Sequence, residues 1–163
     1  MGLPGIAVQL VDDGNSESAV RFLSEWVCDG EAEARRYLAE HVEPDGISLI
    51  ATSGPDAVGY VAVIWESNYA GFRSRGIPLV HQISVSEPWR RRGVATLLMD
   101  VAEQRAADRG ITTLGITVGL SDEYGPARPC QKQFAELVTG FGFAPVGVGS
   151  YALAAGSPNS TAC

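Results

Sequence analysis

The chain has 163 residues, 45% of them hydrophobic and 19% charged, which favours one globular domain with a core of its own and excludes a disordered chain. A net charge of −7 argues against general affinity for nucleic acid or anionic membranes. No apolar run approaches the roughly 18–20 residues of a membrane span.

Met1-Gly2-Leu3-Pro4-Gly5-Ile6 lacks the basic start and long apolar stretch of a signal peptide, so a cytoplasmic protein is expected. Cys28, Cys130 and Cys163 are an odd number without C-x-x-C spacing, which reads as reduced thiols rather than a disulfide framework or a zinc site. No metal is expected. The charges are unevenly spread. Residues 1–72 carry twelve acids against three bases, and residues 73–163 carry nine bases against seven acids. Five of the twelve bases fall between Arg73 and Arg92, opposed only by Glu87. A local basic cluster on an acidic protein suits a small, highly charged anion. The acidic half suits a cationic co-substrate, or else forms solvated helix faces.

In chain order, Ile6–Val11 reads as a strand, and Asp12-Asp13-Gly14-Asn15 as a turn with Asn15 or Ser16 capping a helix. Ala19, Val20, Leu23, Trp26 and Val27 recur at helical spacing. A second helix carries Ala34, Tyr37, Leu38 and Val42 on one face and ends at Pro44-Asp45-Gly46. Ile47–Thr52 and Val58–Trp65 flank the turn Ser53-Gly54-Pro55-Asp56 and predict an antiparallel hairpin. A polar loop, Asn68 to Gly76, leads to a strand over Leu79–Ser86, closed by Pro88. Val94–Arg109 is the clearest helix, with Val94, Leu97, Leu98, Val101, Ala102 and Ala106 as its apolar stripe and Gly110 as its stop. Thr112–Val118 reads as a strand, Pro126–Thr139 as a helix, and Gly142 onward as a final strand region with room for one more. The order predicts an α/β single domain over residues 1–155, with a mixed, mostly antiparallel sheet flanked by helices. Residues 156–163 read as a disordered tail.

The segment with chemical content runs from Gln82 to Gly110. A strand closes at Glu87-Pro88, and Arg90-Arg91-Arg92-Gly93-Val94-Ala95-Thr96 opens the best helix. The first turn of a helix offers free N–H groups and the positive end of the dipole, where a diphosphate can lie. Gly93 and Ala95 let it approach closely, and the arginines add charge. The alternative for Arg90–Arg92 is a solvated basic turn. No G-x-x-x-x-G-K-[ST] and no strand-borne G-x-G-x-x-G is present, so neither a P-loop nor a dinucleotide fold is supported.

Arg-x-x-Gly-x-Ala between a strand and an amphipathic helix resembles the signature of the GNAT family of N-acetyltransferases. Gly59–Ser67 looks like that family's third strand, and Gly76-Ile77-Pro78 into Ile83-Ser84-Val85 like the entry to its fourth. Thr117–Leu120 with Tyr124–Ala127, and Phe141-Gly142-Phe143, extend the likeness over residues 5 to 150. The resemblance implies that acetyl-CoA is the co-substrate. Its pyrophosphate would accept hydrogen bonds from the amides of Arg91 to Thr96, beside Arg90. Its pantetheine arm would pair with Ile83, Ser84 and Val85, with the Val85 N–H as oxyanion donor. A lysine-like amine has a pKa near 10.4 and is neutral only about one time in a thousand near pH 7.4, so a base is useful. Glu66 and His81 are the candidates. His81 is expected to share a face with Ile83 and Val85. A core histidine and a solvated strand-end carboxylate are the alternatives. The family's usual tyrosine acid falls on Val138 here, so Tyr124, or less directly Cys130, would stand in, unless Tyr124 only packs its loop. The resemblance implies transfer to a primary amine of a small molecule or peptide, with homodimerisation common. The departure at Val138 leaves a non-catalytic acyl-CoA sensor as the alternative.

Overall fold

A computed structural model describes residues 3–117, 144–147 and 150–154. The expected helix at 126–139, the tail from 156, and Tyr124, Cys130 and Val138 lie outside the described residues. The elements are β1 (Ile6–Leu10), α1 (Ser16–Trp26), α2 (Glu31–Glu40), β2 (Gly46–Ser53), β3 (Asp56–Ile64), α3 (Ala70–Arg73), β4 (Leu79–Val85), α4 (Val94–Asp108), β5 (Thr113–Thr117), β6 (Ala144–Gly147) and β7 (Ser150–Ala154). The described strands form one sheet in the order β1-β2-β3-β4-β5-β7-β6. Every pairing is antiparallel except β4 with β5. The mixed, mostly antiparallel sheet expected from the sequence is present, with β7 inserted between β5 and β6.

Two apolar layers cover the sheet. Alternate residues of β2 and β3, Leu49, Ala51, Val61 and Val63, meet α4 through Val94, Leu98, Met99, Ala102 and Ala106. Ile50, Tyr60 and Ala62 face the other way, onto Ala19, Phe22 and Leu23 of α1 and Ala34 and Leu38 of α2. Period-2 strands between helices on both faces produce this division. On α4 the buried stripe includes Met99 at 2% exposure, whereas Leu97 is only half-buried. Gly59 permits the close approach of α4: a Cβ there would stand 2.9 Å from Leu98 Cδ1 and 3.0 Å from Val94 Cγ1.

Three local expectations are corrected. Asn15 occupies the N-cap of α1 without a side-chain capping bond. Its amide instead ties the preceding turn, accepting from the Asp12 N–H at 2.8 Å and donating to the Leu10 carbonyl at 3.0 Å. Helix α2 stops at Glu40, so Val42 is 42% exposed and His41, at 2%, turns inward in its place. The segment from Asn68 to Gly76 is not a free loop. It contains α3, and Phe72 is buried at 1% against Gly115 of β5.

Gly115 is required by that contact. A Cβ would lie 2.5 Å from the Phe72 ring, which cannot withdraw as a flexible chain end does. Gly115→Val is therefore expected to lower unfolding stability by about 1–3 kcal/mol, read from urea denaturation. An unchanged midpoint would show that α3 is not wedged against β5.

Candidate active site

Strands β4 and β5 pair only at Leu79 and Gly115, with the Gly115 N–H also donating to the Pro78 carbonyl at 2.9 Å. Beyond that point β4 has no ladder on its β5 side among the described residues. Its other edge stays paired with β3 through Val85. The Ser86 N–H donates to the Val58 carbonyl at 2.9 Å, which sets the alternation. Ser84, opposite Tyr60, is a hydrogen-bonded pair, while Ile83 and Val85 turn their N–H and C=O groups away from β3. An interior strand thus offers two backbone N–H groups to an open seam, where an unmade hydrogen bond costs about 1–3 kcal/mol.

The seam opens toward the start of α4. After β4 the chain makes a 3-10 turn over Glu87–Trp89, then Arg91 at φ 62° and Gly93 at φ 85° reverse it into the helix. A non-glycine residue in the left-handed region costs about 1–2 kcal/mol, a strain of the kind found where backbone is shaped for binding. The Leu97 N–H is the first to bond within the helix, to the Gly93 carbonyl. The N–H groups of Val94, Ala95 and Thr96 therefore project from the helix end, and no side chain caps them. The Arg90 Nε donates to the Val85 carbonyl at 2.9 Å, and Arg92 lies over the Trp89 ring at 5.1 Å. These two arginines are held in place, and the positive charge of the turn is fixed with them.

His81 falls at a bulge. Val63 pairs with Val80 and Ala62 with Gln82, so His81 is the extra residue. The bulge breaks the alternation. Ile83 and Val85 pack on the α4 side of the sheet, whereas His81 meets Tyr37 and His41 on the α2 side. The expected shared face of His81, Ile83 and Val85 is thus overturned by one inserted residue. His81 Nδ1 lies 2.7 Å from His41 Nε2 and 3.3 Å from the Tyr37 hydroxyl. Burial, then the neighbouring His41, hold its pKa below the usual 6.5, against the pull of Glu40. Burial likewise pushes the Tyr37 phenol up, so it stays protonated.

Glu66 lies just past β3, exposed and without a hydrogen bond or ion pair among the described residues. It is not brought to His81. Many acids of the first half serve helix faces. Glu17 and Glu31 both bind Arg35, at 2.7 and 2.6 Å, and Glu43 binds Arg109 at 3.4 Å. A cavity of about 320 Å3 lies between α1 and the end of β4, with Glu25, Trp26, Asp56 and Trp89 among its walls. His41 escaped the sequence reading. Its signal was being one of only two histidines, but α2 had been extended past it to Val42. Among the described residues no group of three or more metal-ligating side chains occurs, and no helix is long and apolar enough to cross a membrane.

An interior strand with a free edge, opening onto an uncapped and arginine-flanked helix start, is the architecture of an acyl-CoA-binding transferase. The comparisons with known proteins narrow this. The model of the Acetyltransferase (GNAT) family matches residues 16–125, and the chain belongs to that family, whose acyl donor is acetyl-CoA. An aminoglycoside 6'-N-acetyltransferase solved in complex with coenzyme A has a similar fold, with TM-score 0.67 and 16% identity over 91% of this chain and 96% of that one. A GNAT-family acetyltransferase structure from Desulfovibrio desulfuricans gives 0.64 and 16%, over 92% and 99%. An aminoglycoside 6'-N-acetyltransferase from Acinetobacter haemolyticus gives 0.62 and 20%, over 74% and 85%. No curated protein matches the sequence.

The lowered pKa of His81 has a consequence for stability. Below about pH 6.5 the unfolded chain binds a proton at this residue more readily than the folded one. Stability attributable to His81 is therefore full above that pH and falls as pH drops through the folded value. A ring-proton NMR titration is expected to place the His81 midpoint below 6.5. A midpoint at or above it would contradict the packing against His41.

Proposed function

We propose that the chain is an N-acetyltransferase that moves the acetyl group of acetyl-CoA to a primary amine by direct attack within a ternary complex. The observation that carries this reading is the seam itself, with N–H groups at Ile83 and Val85 turned away from β3 and unpaired among the described residues, an uncapped helix start at its mouth and an imidazole of lowered pKa toward its closed end. The pyrophosphate accepts from the amides of Arg91 to Thr96, with Arg90, Arg91 and Arg92 around it. The pantetheine arm continues β4 as an added strand along Ile83, Ser84 and Val85.

The position of His81 refines the chemistry. At about 3.3 Å per residue, Val85 is roughly 13 Å from His81 along β4 and Ile83 roughly 7 Å. A base at His81 and an oxyanion held at Val85 are too far apart to serve one carbonyl. We therefore assign the Val85 N–H to the pantetheine arm and the Ile83 N–H to the developing oxyanion. The ammonium loses one proton to His81 and the amine attacks the thioester carbon. The tetrahedral intermediate then loses the second excess proton from its nitrogen and collapses with departure of the coenzyme A thiolate, which takes up a proton in turn. Glu66, exposed and apart from His81, takes no proton in this scheme. Tyr124 stays the candidate donor to the thiolate.

The acceptor comes from the α1–α2 side, which His81 faces. That side carries Glu25 and Asp56 with Arg21 around one cavity, and Glu40 near His81, so acids stay in excess there. A small, cationic amine fits this surplus, in keeping with the aminoglycoside acceptors named for two of the similar folds.

Calorimetry with acetyl-CoA, and with free coenzyme A as comparison, is the first test. Micromolar binding followed by amine-dependent thiol release supports the reading, and absence of binding to either ligand removes it. Gly93→Ala and Gly93→Glu share the same backbone strain at φ 85°, so their difference isolates charge. The glutamate variant is expected to bind coenzyme A at least tenfold more weakly than the alanine variant, and equal affinities would displace the diphosphate from this turn. His81→Ala is expected to lower the transfer rate most at low pH, where few amines are neutral, while Glu66→Ala leaves the profile unchanged. The reverse pattern would give the base role to Glu66.

A further inference from the structure

We propose that His41 is the positioning residue of this site: by accepting a hydrogen bond from His81 Nδ1–H, it fixes His81 in the tautomer whose Nε2 lone pair is free for the acceptor amine. The inference rests on the reading of His81 as the base.

The argument is one of donors and acceptors. His41 Nδ1 lies 2.7 Å from the Tyr37 carbonyl. A carbonyl only accepts, so His41 Nδ1 carries the proton. In neutral His41 the Nε2 is then bare. It lies 2.7 Å from His81 Nδ1, and two bare nitrogens do not meet at that distance. His81 Nδ1 therefore carries a proton, which leaves the lone pair of neutral His81 on Nε2. That nitrogen has no partner among the described residues. Around the pair, Tyr37 and Glu40 come from α2, Cys28 from the α1–α2 turn and Tyr60 from β3, and Glu40 is the one carboxylate among them.

The pair is also held mechanically. The buried Ser48 hydroxyl donates to the His41 carbonyl at 3.0 Å and receives the Tyr60 hydroxyl at 2.6 Å. The three rings stack, with centroids 4.2 Å apart for Tyr37 and His41 and 4.8 Å for the two histidines. A chain of fixed donors thus runs from the core of the sheet to the reactive nitrogen. When the substrate ammonium gives its proton to His81 Nε2, the N–H bond of the amine breaks, the positive charge passes to the imidazole, and the amine keeps its electron pair for attack. The hydrogen bond to His41 Nε2 keeps the ring oriented through this step. The proton leaves His81 for solvent after transfer.

Ring 15N shifts decide the tautomer in the unmodified protein, without acceptor or variant. Both histidines are expected as Nδ1–H tautomers, and His81 as the Nε2–H tautomer would overturn the proposal. The kinetic arm measures kcat/KM against pH with whichever amine gives the fastest thiol release. Loss of a partner that orients a functional histidine costs about 10–100-fold. His41→Phe, which keeps a ring, is expected to lower kcat/KM for the amine by that factor, with a shifted acidic limb and the KM for acetyl-CoA within about twofold. His41→Gln, whose amide oxygen can accept from Nδ1–H, is expected to recover most of the loss. Equal losses in both variants with an unshifted limb would mean a merely structural role and would sink the proposal. His81→Ala with an unaltered rate and limb would show instead that the base reading had failed, and the inference falls with it.

Discussion

One gap in the strand ladders organises the described part of this molecule. Among the described residues, a central strand of a seven-stranded sheet is paired along one edge and unpaired along most of the other. Buried backbone groups without partners are costly, so such an edge persists only if something else completes it. An extended ligand carrying its own amide groups meets that demand, and an acyl-CoA arm is such a ligand. On the proposed reading, the gap in the sheet and the binding of the co-substrate have one physical cause.

Holding that gap open requires rigid supports on both sides. Phe72, pressed on the bare backbone of Gly115, locks the point where β4 and β5 last touch. Gly59 lets α4 lie close on β3, which brings the helix start level with the mouth of the seam. The bulge at His81 sits next to the last β4–β5 contact. There it turns an imidazole toward α2 while the following residues keep their packing on α4. A strand without the bulge would send the imidazole to the opposite face, away from His41 and from the acidic half of the protein.

Much of this was legible in the chain, for identifiable reasons. Periodicity revealed α4 and the central strands because their faces are buried by simple alternation. The arginine turn was legible because charge, glycine and helix start coincide within six residues. The bulge was not legible. One inserted residue leaves composition unchanged and inverts every side chain beyond it, so His81 was assigned to the wrong face. His41 was missed for a related reason: an apolar Val42 at helical spacing drew the helix past its true end at Glu40. Phe72 falls in what reads as a polar loop because polar neighbours mask its burial, which depends on a glycine more than forty residues away.

The proposed function draws on an uneven electrostatic field. Fixed positive charge gathers before α4, where Arg90 is tied to Val85 and lies over Trp26, and Arg92 lies over Trp89. On the α2 side the surplus is negative, and it is smaller than composition implies because Arg35 and Arg109 occupy three of the acids. Between the two lies a histidine whose pKa partial burial and a second histidine lower. A lowered pKa leaves more of the ring in the unprotonated form, the form that can take a proton from an incoming ammonium. A lower pKa also weakens the base, and burial and His41 both act in that direction. On the proposed reading the site exchanges proton affinity for availability: more of the enzyme holds a bare Nε2 at a given pH, and each bare Nε2 draws the substrate proton less strongly.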